Sequence, residues 1–438
     1  MRIRIGTAVA AVAAAALLAP AAALAQEPPP PSYPEPKDPG EVQPPPAGKG
    51  RTLTVCKKAA CRFRTIQKAV DKAKAGDTVK VKPGTYKEAV RIKGAAKRYL
   101  KLVGNPRNPA KVVLEGKGGK QNGVFVDGAD EVTVRGFKAQ NYGANGFFFV
   151  NVVGYTARDL IAAKTGVYGI YAFNSKGGTM RDSEAYYNND AGFYIGQTPA
   201  QQKPIRSIVT NIDSWGNPLG WSGTNMRYVT ITKSRFYNNA AGIVPNALDS
   251  EKFPPAEDNV IADNDIFWNN FDFHKGAPFK IPDDGTAALI PVGTGVVLLG
   301  GRRNTVENNR IYGNWQIGVL LVEGVLLAAP ENQGARALVG NEILGNQFGL
   351  DGTDLNGREL AYDGNGTDNC FGANTGVSVT IPASGSTLAA CPFAGANAFD
   401  ANIQAEMLTL TGEAGVPNQI RHPHALKDGF EPLELFTP

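Results

Sequence analysis

Gly123-Val124-Phe125-Val126, Gly146-Phe147-Phe148-Phe149, Gly169-Ile170-Tyr171-Ala172 and Gly192-Phe193-Tyr194-Ile195 follow one another at steps of 23 residues, three times in succession. The motif continues at Gly220, Gly242, Gly295, Gly318 and Gly349, and the step of 23 returns between Gly295 and Gly318. The remaining steps of 28, 22, 53 and 31 are single or double repeats carrying insertions. A period of about 20–25 residues with strand-like alternation marks a solenoid. A leucine-rich repeat has a similar length, but its Leu-x-x-Leu-x-Leu consensus with a fixed Asn is absent. Here each repeat carries Asn shortly before the Gly: Asn141, Asn188-Asn189, Asn217, Asn238-Asn239, Asn269-Asn270, Asn314 and Asn346. Asn tolerates the left-handed backbone of a sharp corner, and stacked amides can bond from coil to coil. These asparagines are therefore structural.

Parallel strands one coil apart stack at about 4.8 Å, so some ten coils make a rod of roughly 50 Å. Parity then sorts the residues after each Gly. Val124, Val126, Phe147, Phe149, Ile170, Phe193, Ile195, Val296, Leu298, Val319 and Leu321 are expected to point inward. Phe125, Phe148, Tyr171 and Tyr194 form an outward column that continues as Ser222, Val244, Val297 and Leu320. Such a column either stacks against sugar rings or lies as a buried seam beneath inserted loops or the C-terminal tail.

The front of the stack has a cover. Ile66, Ala69, Val70 and Ala73 share one helical face ended by Gly76, and strands follow at Thr78–Lys82 and Val90–Ile92. From Lys49 to Lys120 there are 21 Lys and Arg against 4 Asp and Glu, whereas from Gln121 onward there are 21 against 32. The front is thus near +17 and the remainder near −11. On a rod these charges would form two poles. The basic pole is either a contact for an acidic polymer or a solubilising cap.

The chain begins with basic residues and an apolar run, and Ala23-Leu24-Ala25 offers a signal-peptidase site. Residues 1–25 are expected to be a signal peptide, and 26–50 a proline-rich linker in extended polyproline II. A basic cap with the first coils spans 51–120, the parallel β-helix 121–360, and a C-terminal cap and tail 361–438. No later segment is apolar enough to span a membrane. In an exported chain, the near pairs Cys56 with Cys61 and Cys370 with Cys391 read as two local disulfides pinning the ends.

Thr65-Ile66-Gln67, Ala69-Val70-Asp71, Gly76-Asp77-Thr78-Val79, Pro83-Gly84-Thr85-Tyr86 and Glu88 together resemble the opening segment of pectate-lyase-like right-handed β-helix proteins. Asn304-Thr305-Val306-Glu307-Asn308-Asn309-Arg310-Ile311-Tyr312-Gly313-Asn314 resembles the parallel β-helix repeat of the same superfamily. The resemblance covers roughly Thr52 to Asn374. It implies an all-β, single-stranded right-handed parallel β-helix with an N-terminal capping helix. It does not select an activity, because the superfamily holds lyases, hydrolases, epimerases and non-catalytic proteins. The Gly-His-Gly of polygalacturonase-like hydrolases, the Asp-Pro-His of alginate epimerases and the Trp-x-Asp-His of pectate lyases are all missing. Arg91-Ile92-Lys93 falls in the cap instead.

Loops on a rigid stack carry function, and insertions occur at Gln197–Pro204, Asn246–Asp258, Phe271–Gly293 and Glu323–Arg336. Two of them concentrate ionisable groups. One holds Asp249, Glu251 and Lys252. The other holds His274, Lys275, Lys280, Asp283 and Asp284. Paired carboxylates suit a hydrolase, and Lys or His a lyase; solvated loop charge is the bland alternative. Phe125, Phe148, Tyr171 and Tyr194 are the substrate-contact candidates. His422 and His424 are too few to define a metal site. Asp351–Asp368 lacks EF-hand spacing; a loosely held Ca²⁺ is the one cofactor it leaves room for. The reading is a secreted, monomeric protein that binds, and in its stronger form cleaves, an acidic extracellular or cell-wall polysaccharide, with no nucleic-acid partner. An adhesion rod without catalysis and a metal-handling β-helix are the alternatives.

Overall fold

The computed structural model describes residues 37–58, 61–249, 251–273, 290–324, 332–350, 352–383 and 388–410. Residues 1–25, expected to be a signal peptide, and His422 with His424 lie outside them. The glycine motifs from Gly123 to Gly318 fall in a sheet of eleven parallel strands, one per coil, from Val90–Lys93 to Thr380–Ile381. The motif expected at Gly349 does not: Gln347–Phe348 pairs in the other sheet, and the strand over Ile317–Val322 is Leu360–Tyr362, because an insertion separates it from that glycine. The expected register holds: Phe125 pairs with Phe148, Phe148 with Tyr171, and Tyr171 with Tyr194. All eleven residues assigned inward are buried in one continuous core. The glycines are required because each backbone lies against its neighbour. A Cβ on Gly146 would sit 2.6 Å from the Gly169 carbonyl oxygen.

A second parallel sheet, of eighteen strand segments, completes each circuit, giving a right-handed parallel β-helix. Its long strands, such as Val153–Ala163 and Lys176–Tyr186, bend midway at one residue of positive φ. Gly136, Asp159, Asp182, Asn211, Lys233 and Asp263 hold that bend in successive coils. Asp and Asn reach this conformation at least cost among residues with a Cβ.

Three asparagine ladders hold the corners. One runs Asn188, Asn217, Asn239, Asn269, Asn314, Asn356, each amide donating to the next side-chain oxygen at 2.9–3.1 Å. The others run Asn264, Asn309, Asn346, Asn374 and Asn259, Asn304, Asn341, Asn369, Asn397. Asn346 thus belongs to a different ladder from Asn314. The second and third ladders have their own signal, a five-residue spacing visible at Asn259/Asn264/Asn269 and Asn304/Asn309/Asn314.

The front end is closed. The helix Ile66–Lys72 buries Ile66, Ala69 and Val70, and Glu88 accepts from the Ile66 and Gln67 N–H groups, each at 3.0 Å. Both expected disulfides form, Cys56–Cys61 and Cys370–Cys391. The helix Ala401–Thr409 lies on the side of the rod, over the outward column of the glycine-strand sheet, where Met407 joins an apolar cluster with Val297, Leu320, Ala361 and Ile381. Residues 37–50 are laid along the flank of the rod. The Lys37 N–H donates to Asn151, Asp38 and Glu41 face Lys176 at 3.7 and 3.8 Å, and the Tyr99 hydroxyl donates to the Gln43 carbonyl.

Asn309 is bonded on both sides: it donates to the Ile261 carbonyl and to Asn346, and accepts from Asn264. Asn309→Leu strands those buried partners at about 1–3 kcal/mol each. A loss of roughly 3 kcal/mol or more is expected, measured as a lowered denaturation midpoint.

Candidate functional site

The outward column of the glycine-strand sheet is a seam. Phe148 and Tyr171 stack at 4.3 Å and 4°, but Phe148, Tyr171 and Tyr194 are only 0, 3 and 1% exposed, with Phe125 half-buried. Rings so enclosed offer no face to a sugar, so the contact role expected for this column gives way to packing. Sequence parity orients such a column without revealing what lies over it.

The loop after Asn246 crosses this seam. The Tyr194 hydroxyl meets the Glu251 carboxylate at 2.9 and 3.1 Å, and burial, with the Glu251 charge, raises the phenol well above its ordinary value. Asn225 accepts from the Leu248 N–H and donates to the Leu248 carbonyl, and Gln197 accepts from the Lys252 N–H. Asp249 accepts from the Asn332 amide at 2.5 Å. Arg227, buried, pairs with Glu257 at 2.6 Å. Asp249 and Glu251 are therefore engaged through their carboxylates, and Lys252 through its main-chain N–H, in fastening the loop. His274, Lys275, Lys280, Asp283 and Asp284 lie outside the described residues. No group of three or more His, Cys, Asp and Glu able to hold a metal ion occurs among the described residues.

The long-strand sheet carries two polar columns that the reading of the glycine motif overlooks. Glu184, Asp213, Arg235, Asp265 and Arg310 are register partners from coil to coil. Two residues further on, Tyr186, Trp215, Tyr237, Phe267 and Tyr312 do the same. Arg235 grips Asp213 through two bonds of 2.7 and 2.6 Å, and Arg310 grips Asp265 through two of 2.6 and 2.5 Å. The rings stack: Tyr186 on Trp215 at 4.7 Å and Phe267 on Tyr312 at 4.9 Å. Most of this ladder is buried; Glu184, Tyr186 and Tyr187 at its lower end are half-buried. The pattern was legible as a charged residue, then an aromatic two later and Asn two after that, in Glu184-Ala185-Tyr186-Tyr187-Asn188 and its four successors.

An open groove of about 400 Å³ lies at the basic front, between Lys80–Pro83 and Gly104–Arg107, with Arg135 at its upper edge. Its ionisable lining is wholly cationic. Lys80, Lys82 and Arg107 are exposed and form no ion pair among the described residues. Residues 104–111, inserted between the short strands Lys101–Val103 and Val112–Glu115, build one wall.

Burial pushes the Glu184 carboxyl up to about 7 despite the Trp215 indole N–H donating to it, and the Asp213 charge pushes the same way. A carboxyl raised from 4.5 holds its proton more tightly when folded. Its stabilising contribution is complete below the ordinary value and is lost as pH rises through about 7, at up to about 1.4 kcal/mol per pH unit. Glu184→Gln is expected to flatten the fall of the thermal midpoint across that window.

Residues 117–272 match the family model for the right handed beta helix region. No curated sequence matches the chain closely enough to count as a relative. Among solved structures, the A-module of mannuronan C-5 epimerase AlgE4 from Azotobacter vinelandii is 17% identical, with 70% of this chain and 89% of that one covered at a TM-score of 0.47. Pectate lyase Pel9A is 14% identical, with 68% and 76% covered and a TM-score of 0.42. XylC, solved with xylose, is 11% identical, with 75% and 76% covered and a TM-score of 0.48. With its parallel coils, capping helix and matched central region, the chain has the fold of a right-handed parallel β-helix.

Proposed function

We propose that the protein is exported and captures an acidic extracellular polysaccharide at its basic front pole. The observation that carries this reading is the front groove, whose cations Lys80, Lys82 and Arg107 have no carboxylate partners among the described residues while the aromatic columns elsewhere are largely buried. Unpaired cations in a concavity concentrate field and attract a polyanion from solution. Two disulfides suit an oxidising compartment, and no described helix is long and apolar enough to cross a membrane. Cleavage is the second reading. Glu184, half-buried and holding its proton to about 7 beside Asp213, could donate that proton to a leaving oxygen.

Affinity electrophoresis in polygalacturonate, alginate and a neutral glucan tests capture. Retardation is expected in the two acidic gels only, weakening with salt as exposed charges are screened. The triple variant Lys80→Glu, Lys82→Glu, Arg107→Glu should lose at least about tenfold in affinity. Equal retardation in the neutral gel, or none in any gel, would end the reading. New reducing ends or absorbance from an unsaturated product, abolished in Glu184→Gln, would establish cleavage.

A further inference from the structure

The two ends of the rod are finished differently. At the front the helix Ile66–Lys72 covers the first coil, and its surroundings are cationic. Arg51 to Lys74 hold eight Lys and Arg against one Asp, a net +7. Arg51 is tied to Asp77, but Lys58, Arg62, Arg64, Lys68, Lys72 and Lys74 are exposed and form no ion pair among the described residues. No large apolar side chain is exposed on this lid among the described residues.

At the far end the last strand of the glycine-strand sheet, Thr380–Ile381, pairs with Leu360–Ala361 on one side and with no described strand on the other. The helix Ala401–Thr409 packs on the flank instead. Val377, Val379 and Phe399, in this last layer, are 39, 50 and 49% exposed. Leu338 to Leu410 hold eight Asp and Glu against one Arg and no Lys, a net −7. Asp368 and Asp400 accept main-chain N–H groups, and neither they nor Glu342 and Glu406 form an ion pair among the described residues.

We propose that the front of a second copy of this chain docks on that open end, so that rods join head to tail. Front-to-front and far-to-far contacts oppose like charges. Front-to-far alone brings +7 against −7, and such complementarity selects the orientation of approach. Residues 411–438 are the other candidate cover, but with four Asp and Glu against two Lys and Arg they share the sign of the end. The helical lid offers the open edge no strand to pair with, so the sheet does not continue across the joint as it would in a fibril. The contact is between charged faces, with the aliphatic stems of lid lysines covering Val377, Val379 and Phe399. One patch meets a different patch, so each joined pair still presents a front and a far end, and the assembly is open. The single rod expected from the sequence is then the dilute or high-salt form. The joint requires neither the front groove nor a captured polymer.

Sedimentation velocity of the full chain at about 0.01 M and about 1 M salt, where charges are screened over roughly 30 and 3 Å, tests this. At low salt the average mass is expected to rise with concentration to at least about twice that of the single chain, and to fall back at high salt. The front variant Arg64→Glu, Lys68→Glu, Lys72→Glu and the far-end variant Val377→Lys, Val379→Lys, Phe399→Lys change exposed side chains, and each alone should stay a single chain. Mixed, they retain one intact front and one intact far end, and should form pairs and nothing longer, which a misfolded variant could not do. Single chains at low salt, the result expected if residues 411–438 cover the end, overturn the proposal. So do assemblies that survive high salt, and variants that associate alone or fail to pair when mixed.

Discussion

A backbone that corners several times in every circuit leaves amide and carbonyl groups that strand pairing cannot reach, and in a dry interior each orphan is costly. The three asparagine ladders answer that constraint. Each side-chain amide serves a carbonyl below and an oxygen above, so the corners of one coil are completed only by the coils on either side. Stability in such a stack is shared between neighbours. The corners in turn determine where bends fall, and the bends determine which side chains line the outer faces.

The rod and its register were legible because glycine spacing and residue parity are local facts that backbone geometry converts directly into position. The capping helix was legible for the same reason, with Ile66, Ala69 and Val70 buried as a helical period requires. Surface roles were not. Parity placed Phe148 and Tyr171 on the outside of the strand, yet the outside of a strand is not the outside of the molecule when a loop crosses it. The loop charges Asp249 and Glu251 looked available for chemistry because a sequence does not print their partners, here Asn332 and Tyr194. The front groove escaped notice for the opposite reason. Its cations were counted in the basic segment, but their convergence depends on an insertion between two short strands, which carries no periodic signature.

Buried charge is handled differently along the two outer faces. On the long-strand sheet Asp213 and Asp265 are each held by a two-pronged arginine, the geometry that best compensates desolvation. Glu184 has an indole N–H instead and retains its proton to near neutrality. One column of register partners therefore holds carboxyl groups in different settings, set by what stands one coil away.

The segment from Lys37 to Gly50 has a practical consequence for anyone handling the protein. Because it runs from the neighbourhood of Asn151 and Lys176 back past Tyr99 before joining the first coil, Lys37 sits on the side of the rod. A fluorophore, surface anchor or fusion partner joined there would hang from the shaft several layers away from the tip. Immobilisation through that attachment would leave the positively charged tip facing the solution.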